Sequence, residues 1–235
     1  MGMLLGAAVV SLRGLRAPAL ASSAGEVSSA LKLARQTAIA SGRRAYVIFP
    51  IQANSLLSNN ILRSYAILEE IPPEQEAPDV GVTNRTTLPI HIARTDWRTL
   101  PDGVVFCNLA AAGYSPIAGD PFTGCEIGRP TPRSTGPSPR SGEEWRYFNS
   151  FADFRVVIGA TTNVLTAVPF IGFFPTGRSY YNGADQHYSA VAIRLINGVV
   201  QNPNLVVVTD TNNYYYVEAD PANGRIRVRP RDSYR

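Results

Sequence analysis

The chain is poor in the residues from which most active sites and metal sites are built. Two cysteines and two histidines stand among 235 residues, and charged residues make up only 17% of the sequence. His91 and His187 lie far from each other and from Cys107 and Cys125, so no metal-ligand spacing exists and zinc is not expected. There is no Gly-x-Ser-x-Gly, His-Glu-x-x-His, Walker-type or Gly-x-Gly-x-x-Gly loop, which leaves out the nucleophile elbow and the phosphate cradle. His91 near Asp96 and His187 near Asp185 are local pairs with no nucleophile at a recognisable position, and both read as surface or turn residues. The expectation is a non-enzyme with no catalytic residue and no cofactor.

Long apolar runs are also missing. The amino-terminal run Met3-Leu4-Leu5-Gly6-Ala7-Ala8-Val9-Val10 covers about 12 Å as a helix, against a hydrocarbon core of about 30 Å. Ala19-Leu20-Ala21 offers a signal-peptidase site, but Arg13 and Arg16 follow the apolar run, the reverse of the order in a secretory signal. The two readings at this end are a cleaved signal peptide and an apolar helix whose beginning lies upstream of Met1.

What is present points to a turn-rich β body. Hydrophobic residues at 45% oppose general disorder, and 19 glycines with 18 prolines supply many turns. The length suits one domain with a sizeable core. A net charge of +4 is a mild arginine excess that a solvated surface tolerates, with affinity for nucleic acid or anionic polymers as the lesser alternative.

The clearest periodicity lies between residues 20 and 40. Leu20, Ala24, Val27, Leu31, Ala34 and Ala38 recur at steps of three and four, while Ser23, Glu26, Ser29, Lys32 and Gln36 fall elsewhere on a wet face, which predicts an amphipathic helix. Gly42 suits the left-handed residue that ends a helix, and Arg43 and Arg44 complement the dipole there. Val27, Leu31, Ala34 and Ala38 are the residues expected to pack on the head. Residues 1–42 are thus assigned to the helix and 43–235 to a β-rich head domain.

Downstream, β-favouring segments are expected at residues 44–49, 62–71, 89–93, 104–108, 154–158, 164–168, 170–174, 190–196, 204–208, 214–218 and 225–229. Leu-Pro-Asp-Gly at 100–103, Pro-Thr-Gly at 175–177 and Asn-Gly at 197–198 read as tight turns, the last as a two-residue hairpin. Trp97 reads as a packing residue. Residues 128–143 lack large apolar side chains and are assigned as a flexible surface insertion. Arg225, Arg227 and Arg229 alternate with Ile226 and Val228, which predicts a basic ladder on an edge strand.

Several of these stretches resemble a known family. Gly2 to Val10, the breaker Pro18 and Leu31-Lys32-Leu33-Ala34-Arg35-Gln36-Thr37-Ala38-Ile39-Ala40-Ser41-Gly42 before a strand look like a type IV pilin-like protein. Ala34-Arg35 to Ala38-Ile39 followed by Val47-Ile48-Phe49 is similar to minor pseudopilins of the GspH/FimT type. Trp97 to Val104, Phe173-Phe174-Pro175-Thr176-Gly177 and Asp220-Pro221 to Gly224-Arg225 are similar to a pseudopilin family of Verrucomicrobia-type gene cassettes. The leader, its cleavage point and the glutamate of such proteins do not precede Met1, so an upstream extension of about fifteen to twenty-five residues is expected.

The resemblance implies an α+β fold, a long amino-terminal α-helix followed by an antiparallel β-sheet head, and a structural subunit of a type II secretion or type IV pilus-like filament. Met3, Leu4, Leu5, Val9, Val10 and Leu12 would then serve membrane and filament core. Other pseudopilins or pilins would be the partners, at the inner membrane and periplasm of a Gram-negative-type bacterium. In that oxidising compartment a Cys107–Cys125 disulfide is expected, its loop worth about 3 kcal/mol. Gly224-Arg225-Ile226-Arg227 resembles the Gly-Arg-x-Arg tail of FimT-like minor pilins that bind DNA, which makes Arg225, Arg227 and Arg229 candidate DNA contacts. The contrasting class is a secreted β-rich binding domain starting at Ser22.

Overall fold

The computed structural model describes residues 2–50, 62–71, 89–107, 129–130, 145–147, 151–158, 161–180, 191–202 and 205–230, with the side chains of the helix described from Pro18 onward. One helix, α1 (Gly2–Ser41), opens the chain. Thirteen strands follow among the described residues: β1 (Ala45–Ile48), β2 (Ser64–Ile71), β3 (Ile90–Ala93), β4 (Arg98–Thr99), β5 (Val104–Cys107), β6 (Arg129–Pro130), β7 (Trp145–Tyr147), β8 (Phe151–Ile158), β9 (Thr161–Phe173), β10 (Ser179–Tyr180), β11 (Val191–Asn202), β12 (Leu205–Ala219) and β13 (Ile226–Pro230).

Pro18 lies inside α1 rather than ending it. Proline has no N–H to give the carbonyl four residues back, yet the helix continues on both sides. Its true end is Gly42, whose φ of 68° places it in the left-handed region.

The expected antiparallel sheet head is not what the chain builds. β1 pairs with β2, β2 with β3, β3 with β8, β8 with β9, and β9 returns to β1, so five strands close into a barrel. The β3–β8 pair is parallel, which an all-antiparallel head does not contain. The α+β helix-plus-sheet, pilin-like assignment is therefore corrected to one amino-terminal helix on a mostly β-structure with a closed five-stranded barrel. Closure depends on β9, thirteen residues long: its first part pairs with β8, and its last, Phe170 to Phe173, pairs with β1. The segments expected at 164–168 and 170–174 are thus one strand, and those at 204–208 and 214–218 are also one, β12.

A second sheet runs β13-β12-β11-β5, antiparallel throughout. Asn197-Gly198 is no hairpin within it. The pairing register shifts on either side of Asn197, and the Gly198 N–H donates to the Gly103 carbonyl at 2.9 Å, so this Asn-Gly pair sits at a bulge facing the 101–103 turn.

Two hydrophobic cores result from strand alternation. Tyr46, Ile48, Ala66, Leu68, Phe154, Val156, Leu165, Val168 and Phe170 cluster inside the barrel. Val47, Phe49, Tyr65, Ile67, Ile171 and Phe173, from the other face of the same strands, join Ile193, Leu195 and Val217 of the second sheet and the buried stripe of α1. The helix is therefore shared between both β units, and successive residues of β1 serve different cores.

Candidate functional site: the seated helix, its clamp and the basic edge

Leu20, Ala24, Val27, Leu31, Ala34 and Ala38 are all fully buried in the core shared by the two β units. Burial of each large member contributes about 1.5–3 kcal/mol, so the seat is strong without any polar contact. Ser23, expected on the wet face, is instead buried on the same stripe, where it is satisfied by donating to the Ala19 carbonyl at 2.8 Å. Leu33 and Ile39 lie outside the stripe and are exposed, at 43% and 47%.

Arg35 fastens the late part of the helix to two turns. Its Nε donates to the Gly177 carbonyl at 2.9 Å and its Nη2 to the Asn223 carbonyl at 3.2 Å. Both turns are internally braced. The Gly177 N–H donates to the Phe174 carbonyl, and Asp220 accepts from the Gly224 N–H through its carbonyl and from the Ala222 N–H through its carboxylate. Gly177 and Gly224 have φ of 78° and 65°, a conformation that L side chains rarely adopt. A planar guanidinium with donors pointing two ways can hold two carbonyls at once. Sequence reasoning placed Arg35 in a motif but assigned it no contact, because its partners lie 142 and 188 residues away.

The arginine ladder lies where expected, on β13 at the edge of the second sheet, but its three members are not equivalent. Arg229 Nε donates to the buried Glu218 carboxylate at 3.1 Å. Arg225, just before the strand, and Arg227 are exposed. Glu218 stands opposite Arg227 in the register, so an acidic group sits beneath the ladder. On the neighbouring strands Arg194 lies over the rings of Tyr214 and Tyr216 at 5.3 and 5.2 Å. Burial pushes the Tyr216 hydroxyl pKa up.

The barrel interior holds polar groups that the sequence did not single out together. His91 is 2% exposed, which corrects its reading as a surface or turn residue, and the neighbouring Asp96 is exposed. The imidazole packs edge-on against Tyr46 and Phe154, with centroids 5.3 and 5.0 Å apart. Tyr46 donates its hydroxyl to the Glu70 carboxylate at 2.6 Å. Burial, then the Glu70 hydrogen bond, drives the Tyr46 pKa well above the ordinary phenol range. On the outer side Glu69 is 1% exposed and is held by Arg94 and by Arg43 at 3.6 Å, which ties the segments just past the helix and just past β3 to β2. The sequence signal for both sites was Glu69-Glu70, two adjacent acids on one strand, whose alternation sends one to each face.

Trp97 is half-buried and packs against the barrel core. Arg63 donates to the Leu100 carbonyl at 2.6 Å and pairs with Asp102 at 2.7 Å, bracing the 100–103 turn, where Gly103 has φ of 86°. Met3, Leu4, Leu5, Val9, Val10 and Leu12 lie on α1, but their side chains are outside the described part. Cys125, His187, Asp185 and most of 128–143 are outside the described residues, and with them the Cys107–Cys125 pairing; Arg129–Pro130 pairs with β7. A scan against protein-family models, a search of curated proteins and a search of solved structures each return no match.

Proposed function

We propose that this chain is an assembly subunit of the minor pseudopilin type, in which the head is carried and positioned by a helix that also joins neighbouring helices. The observation that carries this is the division of α1. The stripe from Leu20 to Ala38 is buried in the head, while the apolar run Met3 to Val10 belongs to the same forty-residue helix, upstream of that stripe. By 1.5 Å per residue the helix measures about 60 Å, and the buried stripe uses less than half of it. Cohesion then comes from packing that apolar run against other subunits' helices at the inner membrane and periplasm. Among the described residues no helix is long and apolar enough to cross a membrane. The reading rests on α1 and not on the head, whose closed barrel departs from the pilin-like pattern.

The signal-peptide alternative is weakened by one contact. Cleavage after Ala21 would split α1 and remove Leu20, a fully buried member of the shared core. The test is site-directed disulfide crosslinking in membranes from producing cells, with Val9→Cys and, as control, Ser29→Cys on the exposed side of the seated half. Crosslinked adducts through position 9 that form in the membrane, and do not form when detergent separates the subunits before oxidation, are the expected result. A soluble mature chain beginning at Ser22 would overturn the reading.

A second reading, contact with DNA, is favoured by one observation: Arg225 and Arg227 are exposed at a sheet edge. It is a variant of the same architecture.

A further inference from the structure

Titratable side chains gather on the inner face of the barrel where β1, β2 and β3 meet. There Tyr46, Glu70 and His91 share one face, since Glu70 and His91 are register partners across β2 and β3 and Tyr46 stands beside Leu68 on β1. Glu70 is the member that reaches water, with a side chain 24% exposed and Arg44 at 3.9 Å. Arg44 in turn lies over the Phe174 ring at 5.5 Å. His91 is enclosed, and its Nδ1 has no hydrogen-bond partner. A buried ring nitrogen left unpaired is costly, and its residue is the register partner of Glu70 on the neighbouring strand.

The other elements packed on this ring offer no competing charge. β8 presents Phe154 and Val156 to it, with Asp153 and Arg155 alternating to the outside, and β9 presents Phe170. The charged or titratable groups facing His91 are therefore Glu70 and Tyr46, with Arg44 behind Glu70.

We propose that this end of the barrel is a proton-operated latch, in which a proton taken up by His91 draws the Glu70 carboxylate from the Tyr46 hydroxyl and loosens β1–β2–β3 while α1 stays seated. The proton comes from solvent at the Glu70 side and binds the open ring nitrogen. The Tyr46 O–H···Glu70 hydrogen bond breaks, an imidazolium N–H···carboxylate bond forms, and Tyr46 keeps its proton. In the closed state burial holds the His91 pKa below its ordinary value, opposed by Glu70 and by the carbonyls of Arg155 and Pro89, so the latch responds on the acid side of neutrality. β1 and β2 also reach the core under α1 through Val47, Tyr65 and Ile67, but α1 stays seated because its stripe shares that core with Ile171 and Phe173 of β9, Ile193 and Leu195 of β11 and Val217 of β12.

The test is hydrogen exchange of the full chain, corrected for intrinsic rates, between about pH 8 and about pH 5, with His91 followed by imidazole NMR. Exchange in 45–48, 64–71 and 90–93 is expected to rise at least tenfold on acidification while α1 and β11–β13 keep their protection. His91→Gln and Glu70→Gln are expected to abolish the rise. His91→Phe provides a neutral ring should the glutamine variant fail to fold. An equal rise in the His91 variants, a simultaneous loss of protection everywhere, or a His91 ring that titrates as a free imidazole would overturn the proposal.

Discussion

Gly177 and Gly224 meet so closely that a Cβ added at Gly224 would overlap the Gly177 carbonyl oxygen and stand 2.9 Å from the Nε of Arg35. Two turns from distant parts of the chain and one helical arginine therefore occupy a space with no room for a methyl group. Gly224→Ala is expected to destabilise the protein by about 2–4 kcal/mol, combining strain at positive φ with a backbone overlap. Gly103→Ala is the comparison, since its φ is also positive but nothing lies within 4 Å, and it should lose only about 1 kcal/mol. Denaturant midpoints for the pair check this, and equal losses would mean that the contact is unimportant.

Arg35→Gln removes a charged donor from two carbonyls and should cost about 1.5–3 kcal/mol. Arg35→Lys is not expected to restore stability, because one ammonium cannot reproduce the two-way fork. Urea unfolding of both variants is the measurement; full recovery in the lysine variant would refute the clamp.

Leu31→Ala should cost about 2–5 kcal/mol by opening a cavity in the shared core, whereas Leu33→Ala, two positions on but 43% exposed, should stay within about 0.5 kcal/mol. Thermal unfolding of the two variants separates a seated stripe from a loosely held helix.

Acid should weaken the fold through His91. Burial lowers its pKa in the folded protein relative to the ordinary 6.5, so the unfolded chain takes up this proton first as pH falls. The His91 contribution is fully present above 6.5 and is lost progressively between 6.5 and the lower folded value. Unfolding free energy measured against pH should show this decline in the wild type and a flatter profile in His91→Gln.

If the basic edge contacts DNA, replacing Arg225 and Arg227 with alanine should reduce the salt dependence of affinity by about two units of slope, while Arg229→Ala should act mainly on stability through Glu218. Gel-shift titrations over a series of salt concentrations decide it, and identical slopes would remove DNA from consideration.

The helix was legible because its information is local. Leu20 to Ala38 repeat at 3.6 residues per turn, and that repeat reports which face is apolar wherever the face ends up. Gly42 and the 100–103 turn were legible for the same reason, as residue types matched to particular backbone geometry. Asn197-Gly198 misled because the pair suits a bulge as well as a hairpin, and only the approach of Gly103 on the neighbouring segment selects between them.

By itself, then, the sequence determined one long helix with a buried stripe, a body made of strands, and an edge strand bearing arginines. Only the tertiary structure decided that five strands close on themselves, that β3 lies parallel to β8, that Arg35 meets Gly177 and Asn223, and that His91 faces inward beside Tyr46. The physical reason is that periodicity encodes which face of an element is buried. The choice of partner rests on contacts between residues far apart in the chain, and no local pattern records them.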